Sequence, residues 1–225
     1  MSSEEKLFEF AEYIIHKQNS TLQENDNFHV ALDMRSDDQF FILNVFEKVL
    51  LNNEKYFEQI DWSKWKIYFV SEMLIPLDSS NSHYHQFKTK ILDRMIHKYG
   101  HLNLGPIVIT INENLLDPLD KKHVEENHLI NEYTDLLPES FDLMVLSPYI
   151  ELDISSDRLV VVTTQKHCDG MFLNLPVFKS AKNICFIIND AEDASLFEPE
   201  SNYKLITNEF LSKVITFLIS KIHDG

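Results

Sequence analysis

The chain has 225 residues, 44% of them hydrophobic, including 16 Phe and 8 Tyr, which supplies a large buried core and excludes disordered and fibrous classes. Its 36 acidic and 20 basic side chains leave a formal net charge of -16. That field repels phosphate backbones and argues against general nucleic-acid binding, and any protein partner is expected to be basic; net charge does not report its distribution, and a local basic patch stays open.

In chain order, Glu5 to Gln23 carries apolar groups at Leu7, Phe8, Phe10, Ala11, Ile14 and Ile15, the stripe of a helix with one buried face. Phe28-His29-Val30-Ala31-Leu32 is a short β-like run, and Asp37 to Leu51 returns to helical spacing. Trp65 to Val70 predicts a second strand, with the Trp62 and Trp65 rings packed around its start. Turn chemistry at Pro76 to Ser82 leads into a helix from Tyr84 to Tyr99.

Pro106 to Thr110 predicts a third strand, His123 to Leu137 a helix, and Phe141 to Leu146 a nearly continuous apolar run of the kind found in central parallel strands. Leu159 to Thr163 and Asn183 to Ile188 predict further strands, Tyr203 to Ile206 a short one, and Asn208 to His223 a closing amphipathic helix. Such alternation argues for an α/β fold with a mostly parallel sheet covered by helices on both faces, in one domain spanning 1–225.

No stretch approaches the roughly 20 apolar residues that cross a bilayer, and Met1 to Glu5 lacks the basic-then-apolar order of a signal peptide. A soluble, membrane-free chain in the cytoplasm is expected, with the nucleus left open. Cys168 and Cys185 have neither metal-ligand spacing nor a disulfide framework and suit a reducing compartment as core thiols. The pair His83 with His85 suggests no third ligand, and His123 and His128 are five apart, off the i, i+4 face of a helix, so no metal is expected. There is no P-loop, G-x-G-x-x-G or G-x-S-x-G, and no cofactor is expected.

Three segments carry a family resemblance. Ile60 to Asp78, reading Ile-Asp-Trp-Ser-Lys-Trp-Lys-Ile-Tyr-Phe-Val-Ser-Glu-Met-Leu-Ile-Pro-Leu-Asp, resembles the W-x-x-W-x-x-Y-F-x-D-E-R-x-V-P segment of the 6-phosphogluconolactonases, in particular their fungal branch. Ser82-His83-Tyr84-His85-Gln86-Phe87-Lys88 stands where that family has S-N-Y-G-x-x-K, and Leu175 to Phe186 is similar to its L-P-V-x-x-x-A-K-x-x-x-F segment. The segments keep the family's order. The resemblance implies a three-layer α/β/α sandwich of the type shared with glucosamine-6-phosphate deaminases. It also implies hydrolysis of 6-phosphogluconolactone by a water that a His activates, with basic residues and Gly-rich loops holding the phosphate.

The implied site is depleted position by position. The family's S-G-G-S phosphate loop falls on Asp33-Met34-Arg35-Ser36, where only the last Ser remains and Asp33 brings a negative charge towards a dianion. Its D-E-R falls on Ser71-Glu72-Met73. Glu72 reads as an ordinary polar residue at a strand end, and Met73 cannot supply the planar charge-assisted contacts of the lost Arg. The G-x-G-P-D-G-H-T motif that brings the catalytic His should follow Leu146, but Ser147-Pro148-Tyr149-Ile150 stands there.

The later S-P-K-P-P-x-x-R-I-T stretch puts Gln165 at the Lys position, with Lys166 beside it, and Gly170 at the Arg position. The whole chain has four Gly, which leaves little backbone suited to wrapping a phosphate. No catalytic residue is therefore assigned, and Asp33, Arg35, Ser36, Glu72, Met73, Ser82, Tyr84, Lys166 and Gly170 are expected to be vestigial ligand-site positions. The expected function is that of a 6-phosphogluconolactonase-like protein without activity, acting as an interaction or scaffold subunit. The alternatives are an active lactonase with a rearranged site using His83, His85 or His167, and a non-catalytic phosphosugar or anion sensor.

Overall fold

The computed structural model describes residues 3–34, 39–100, 105–116, 126–146, 160–163, 169–172, 180–188 and 214–218. Helix α1 (Ser3–Leu22) buries Leu7, Phe10, Ala11, Ile14 and Ile15 on one face, as their spacing dictates. The next position on that stripe is Gln18, which is polar and 1% exposed. Its Oε1 accepts from Trp65 Nε1 at 2.6 Å and from Asp61 N at 3.0 Å, and its Nε2 donates to Gln59 O at 3.0 Å. The buried amide thereby ties α1 to the turn that launches the second strand.

Strand β1 (Phe28–Leu32) is followed by α2 (Gln39–Asn44), which runs into a π-helical stretch Val45–Leu51, and by α3 (Glu54–Phe57). Next come β2 (Trp65–Phe69), β3 (Ser71–Met73), α4 (His83–Phe87), a second π-helical stretch Lys88–Leu92, and α5 (Asp93–Tyr99). The remaining described elements are β4 (Ile107–Ile109), α6 (Glu126–Asp135), β5 (Leu143–Leu146), β6 (Val160–Thr163), β7 (Asp169–Phe172), β8 (Ile184–Ile188) and β9 (Val214–Leu218).

The main sheet has the order β4-β2-β1-β5-β8-β9, and every pair in it is parallel. On one face Phe28, Val30, Leu32, Ile67 and Phe69 join Phe10, Ile14, Phe46, Trp62, Trp65 and Phe87 in one hydrophobic core. The Trp62 and Trp65 rings lie 5.2 Å apart inside it, both buried, as the sequence led us to expect. Tyr133 of α6, fully buried, approaches Phe69 O with its hydroxyl at 3.5 Å. The architecture is the α/β/α sandwich with a mostly parallel sheet.

From β1 the chain moves outward to β2 and β4, then returns to β5 on the other side of β1 and continues to β8 and β9. The order therefore reverses between β1 and β5. In open α/β sheets that reversal leaves a crevice at the carboxyl ends of the two strands, the usual place for a ligand.

Two sequence expectations need correction. The closing helix over Asn208 to His223 is not formed at its centre, where Val214–Leu218 is a strand paired in parallel with all of β8. Val-Ile-Thr-Phe-Leu is a β-branched and aromatic run, and a short apolar run of this kind has no period that separates strand from helix; pairing with Ile184–Ile188 decides it. Further, β3, β7 and β6 form a second, antiparallel sheet in the order β3-β7-β6. Of these only β6 is predicted, because Ser71–Met73 looks like the tail of β2 and Asp169–Phe172 opens with two poor strand formers. The predicted strand Tyr203 to Ile206 lies outside the described residues, as does Cys168, whereas Cys185 is a free, buried thiol.

Candidate functional site

The crevice is built where β1, β2 and β5 end. Asp33 follows β1 directly and is 2% exposed, with its amide donating to Val145 O at 2.8 Å, so the β1–β5 ladder continues one residue past the strand. Met34 is 1% exposed and belongs to the hydrophobic core. The side chain at this loop position therefore points into the protein and not into the crevice. Arg35 and Ser36 lie outside the described residues.

On the β2 side the chain passes from the parallel sheet to the antiparallel one with only Val70 between β2 and β3. Glu72 sits at this junction, 2% exposed. Its Oε1 accepts from His83 N at 2.7 Å and from Met73 N at 2.8 Å, and its Oε2 accepts from Tyr84 N at 2.8 Å and Ser82 Oγ at 3.4 Å. Glu72 is thus no ordinary strand-end polar residue. It is a buried carboxylate that satisfies the first amides of α4 and meets the positive end of that helix.

Ser82 completes the cap. It is fully buried, has extended backbone, and its Oγ accepts from His85 N at 3.2 Å, the arrangement expected of a Ser at the N-cap. His83 is 7% exposed, and its Nδ1 lies 2.7 Å from Ser71 O. A carbonyl only accepts, so that contact places a proton on Nδ1 and leaves Nε2 as the acceptor of the neutral ring. Tyr84 presents its amide to Glu72 and packs its ring, half-buried, against the core. His85 is half-buried one residue further along α4, and His167 lies outside the described residues.

Gly170 lies on β7, directly opposite Met73 of β3. The structure therefore brings together two positions at which the resemblance places basic side chains, and here they are Met and Gly. Lys88, at the Lys of the S-N-Y-G-x-x-K segment, pairs with Asp93 at 3.0 Å. Lys166 and the residues that follow β5 are outside the described set. Among the described residues no group of His, Cys, Asp and Glu could hold a metal ion.

Sequence reasoning missed Tyr133, whose hydroxyl lies within reach of the Glu72 charge. Burial pushes the Tyr133 hydroxyl pKa well up, and the charges of Glu72 and Tyr68 add to the rise, while its bond to Phe69 O opposes it. Nothing local in the sequence marks a tyrosine on α6 as a neighbour of a β3 carboxylate. Chemically, the described residues at and beyond these strand ends include two buried acids, hydroxyls and one histidine already engaged at Nδ1. Such a set is poorly matched to a doubly charged phosphate.

Residues 2–148 match the family model described as glucosamine-6-phosphate isomerases/6-phosphogluconolactonase. Among curated relatives, 6-phosphogluconolactonase 4 of Saccharomyces cerevisiae is 29% identical, over 95% of this chain and 90% of its own length. The 6-phosphogluconolactonase-like protein 2 of the same yeast is 32% identical, over 63% of this chain and 50% of its own length. Among solved structures, 6-phosphogluconolactonase from Trypanosoma brucei superposes with a TM-score of 0.68 at 13% identity, covering 98% of this chain and 94% of the other, a likeness of fold. The family model spans the chain from α1 to the end of β5, which includes both strands flanking the crevice, and the chain belongs to the glucosamine-6-phosphate isomerase/6-phosphogluconolactonase family.

Proposed function

We propose that this chain is a 6-phosphogluconolactonase-like protein that does not hydrolyse the lactone and serves as an interaction or scaffold subunit. The observation that carries the reading is the Met73–Gly170 pair, two facing backbone positions without a cation, beside the buried carboxylate of Glu72. A dianionic phosphate brought to this corner gains no charge-assisted contact from them and meets the like charge of Glu72. The stretch Ser147 to Asp153 directly after Leu146, without Gly or His, supports the same reading by withholding the family's general base from its motif position.

A lactone-hydrolysis assay on purified protein is the test. No rate above spontaneous hydrolysis is expected, and calorimetric titration with 6-phosphogluconate should give no heat at millimolar ligand. Turnover would overturn the reading, and heat without turnover would favour an anion sensor.

One observation favours a second reading, that of an active lactonase with a rearranged site. The relative named 6-phosphogluconolactonase 4 aligns with 95% of this chain, and His83, held at Nδ1 by Ser71 O, has the tautomer a general base requires. Turnover lost in His83→Gln but kept in His85→Gln would establish it.

A further inference from the structure

The opposite end of the main sheet carries a row that the family reading does not use. Register places Ile107 of β4 beside Lys66 of β2, and Lys66 beside His29 of β1. One position before the Val30–Leu143 pair, Asp142 exchanges backbone and side-chain bonds with His29: Asp142 N donates to His29 O at 2.9 Å, and His29 N donates to Asp142 Oδ2 at 2.9 Å. Lys182, just ahead of β8, closes the row with its Nζ 2.7 Å from Asp142 Oδ1. Paired residues of neighbouring parallel strands share a face, and this is the face away from the core that holds Val30 and Ile67.

Three properties set the row apart. It carries two lysines against one acid, in a chain with 36 acidic and 20 basic side chains. Lys66 is half-buried, and no carboxylate lies in salt-bridge range of it among the described residues, although its charge and that of Lys182 both act on His29. Ile107, at the end of the row, is 55% exposed on the edge strand of the sheet. An ammonium held without a counter-ion beside an exposed isoleucine is an arrangement that an oppositely charged partner with an apolar group would complete.

We infer that the row Ile107–Lys66–His29–Lys182 docks a short acidic segment of a partner protein, one apolar residue on Ile107 and carboxylates along Lys66 and Lys182. The row spans about four strand spacings of about 4.8 Å, which suits a few extended residues. A nucleic acid is the poorer fit, because its backbone would run on beyond the row over a surface that is strongly negative overall. At physiological salt the Debye length is about 8 Å, so the local row and not the net charge governs the docked contact. The site lies at the far end of the sheet from the crevice, so lactonase activity, if found, would leave this inference standing.

The test is fluorescence anisotropy at physiological salt, with a labelled oligoglutamate peptide begun by one leucine as the probe. Saturable binding is expected, weakened about tenfold or more by Lys66→Glu and measurably by Ile107→Ser, with unfolding midpoints confirming that both variants fold. If Lys66→Glu does not fold, Lys66→Gln is read in its place. Absence of saturable binding to the full chain, or binding that neither variant weakens, overturns the inference. So does tighter, Lys66-dependent binding of an oligothymidylate of equal length, which would make the row a nucleic-acid site.

Discussion

Met73 and Gly170 face each other across the antiparallel ladder between β3 and β7, at two positions where the family resemblance places arginines. Directly opposed residues of an antiparallel pair present their side chains to the same face. Met73→Arg combined with Gly170→Arg would set two guanidinium groups side by side, each able to contribute about 1.5–3 kcal/mol through charge-assisted hydrogen bonds to phosphate. Calorimetry with 6-phosphogluconate should detect binding to the double variant and none to the parent. A double variant as inert as the parent would mean that this ladder does not face the ligand crevice.

The parallel scaffold was legible in the sequence because its strands are apolar runs separated by periodic helices. Phe28–Leu32 is read with the same limits it has in the structure. The antiparallel sheet was not legible, since β3 and β7 are held by each other and by β6 and carry little strand propensity of their own. Val214–Leu218 was misread for the complementary reason: its propensity is high, but its partner β8 lies outside any local window.

The same division runs through the site. Motif positions singled out Asp33 after β1, Glu72 and Met73 on β3 and Gly170 on β7, but they gave no warning that Met34 packs into the core or that Glu72 caps α4. Those two facts depend on the direction the chain takes after a strand, which tertiary packing decides. Arg35, Ser36 and Lys166 lie outside the described residues, so for them the sequence reading stands alone.

Glu72→Gln tests the cap. The carboxylate accepts from three backbone amides and one hydroxyl, whereas an amide of the same shape turns an NH2 group towards at least one of those donors and removes the charge that meets the α4 N-terminus. A loss of about 2–3 kcal/mol is expected, seen in urea as a lower midpoint with an unchanged slope. A midpoint equal to the parent's would show that solvent can take over these amides.

Gln18→Leu tests the buried amide that joins α1 to β2. Leucine suits the apolar stripe of the helix and fills similar volume, so a packing view predicts neutrality or gain. The substitution strips Trp65 Nε1 of its acceptor inside the buried core, while Asp61 N, which loses the same acceptor, belongs to an exposed residue that water can reach. An unsatisfied buried donor costs about 1–3 kcal/mol, which outweighs the added apolar burial, and a net loss of stability is expected. Thermal unfolding of the variant decides between the two views, since a raised midpoint would favour packing over hydrogen bonding.

The His29–Tyr68 pair should make stability depend on pH. Burial lowers the His29 pKa below its usual 6.5, Asp142 opposes this, and Lys66 and Lys182 reinforce it. Burial also pushes the Tyr68 hydroxyl up to about 12, so at working pH Tyr68 donates to the neutral His29 Nδ1 across 3.2 Å. The folded state binds this proton less readily than the unfolded chain does. Its contribution is therefore complete above the unfolded value near 6.5 and is lost as pH falls through 6.5 towards the depressed folded pKa. Other histidines titrate in the same window, so the comparison that isolates the effect is with His29→Gln, whose side-chain carbonyl can still accept from Tyr68 without taking up a proton. Urea midpoints measured from pH 7.5 down to about 5 should fall more steeply for the parent than for the variant. Parallel curves would mean that His29 keeps an ordinary affinity for its proton in the folded protein.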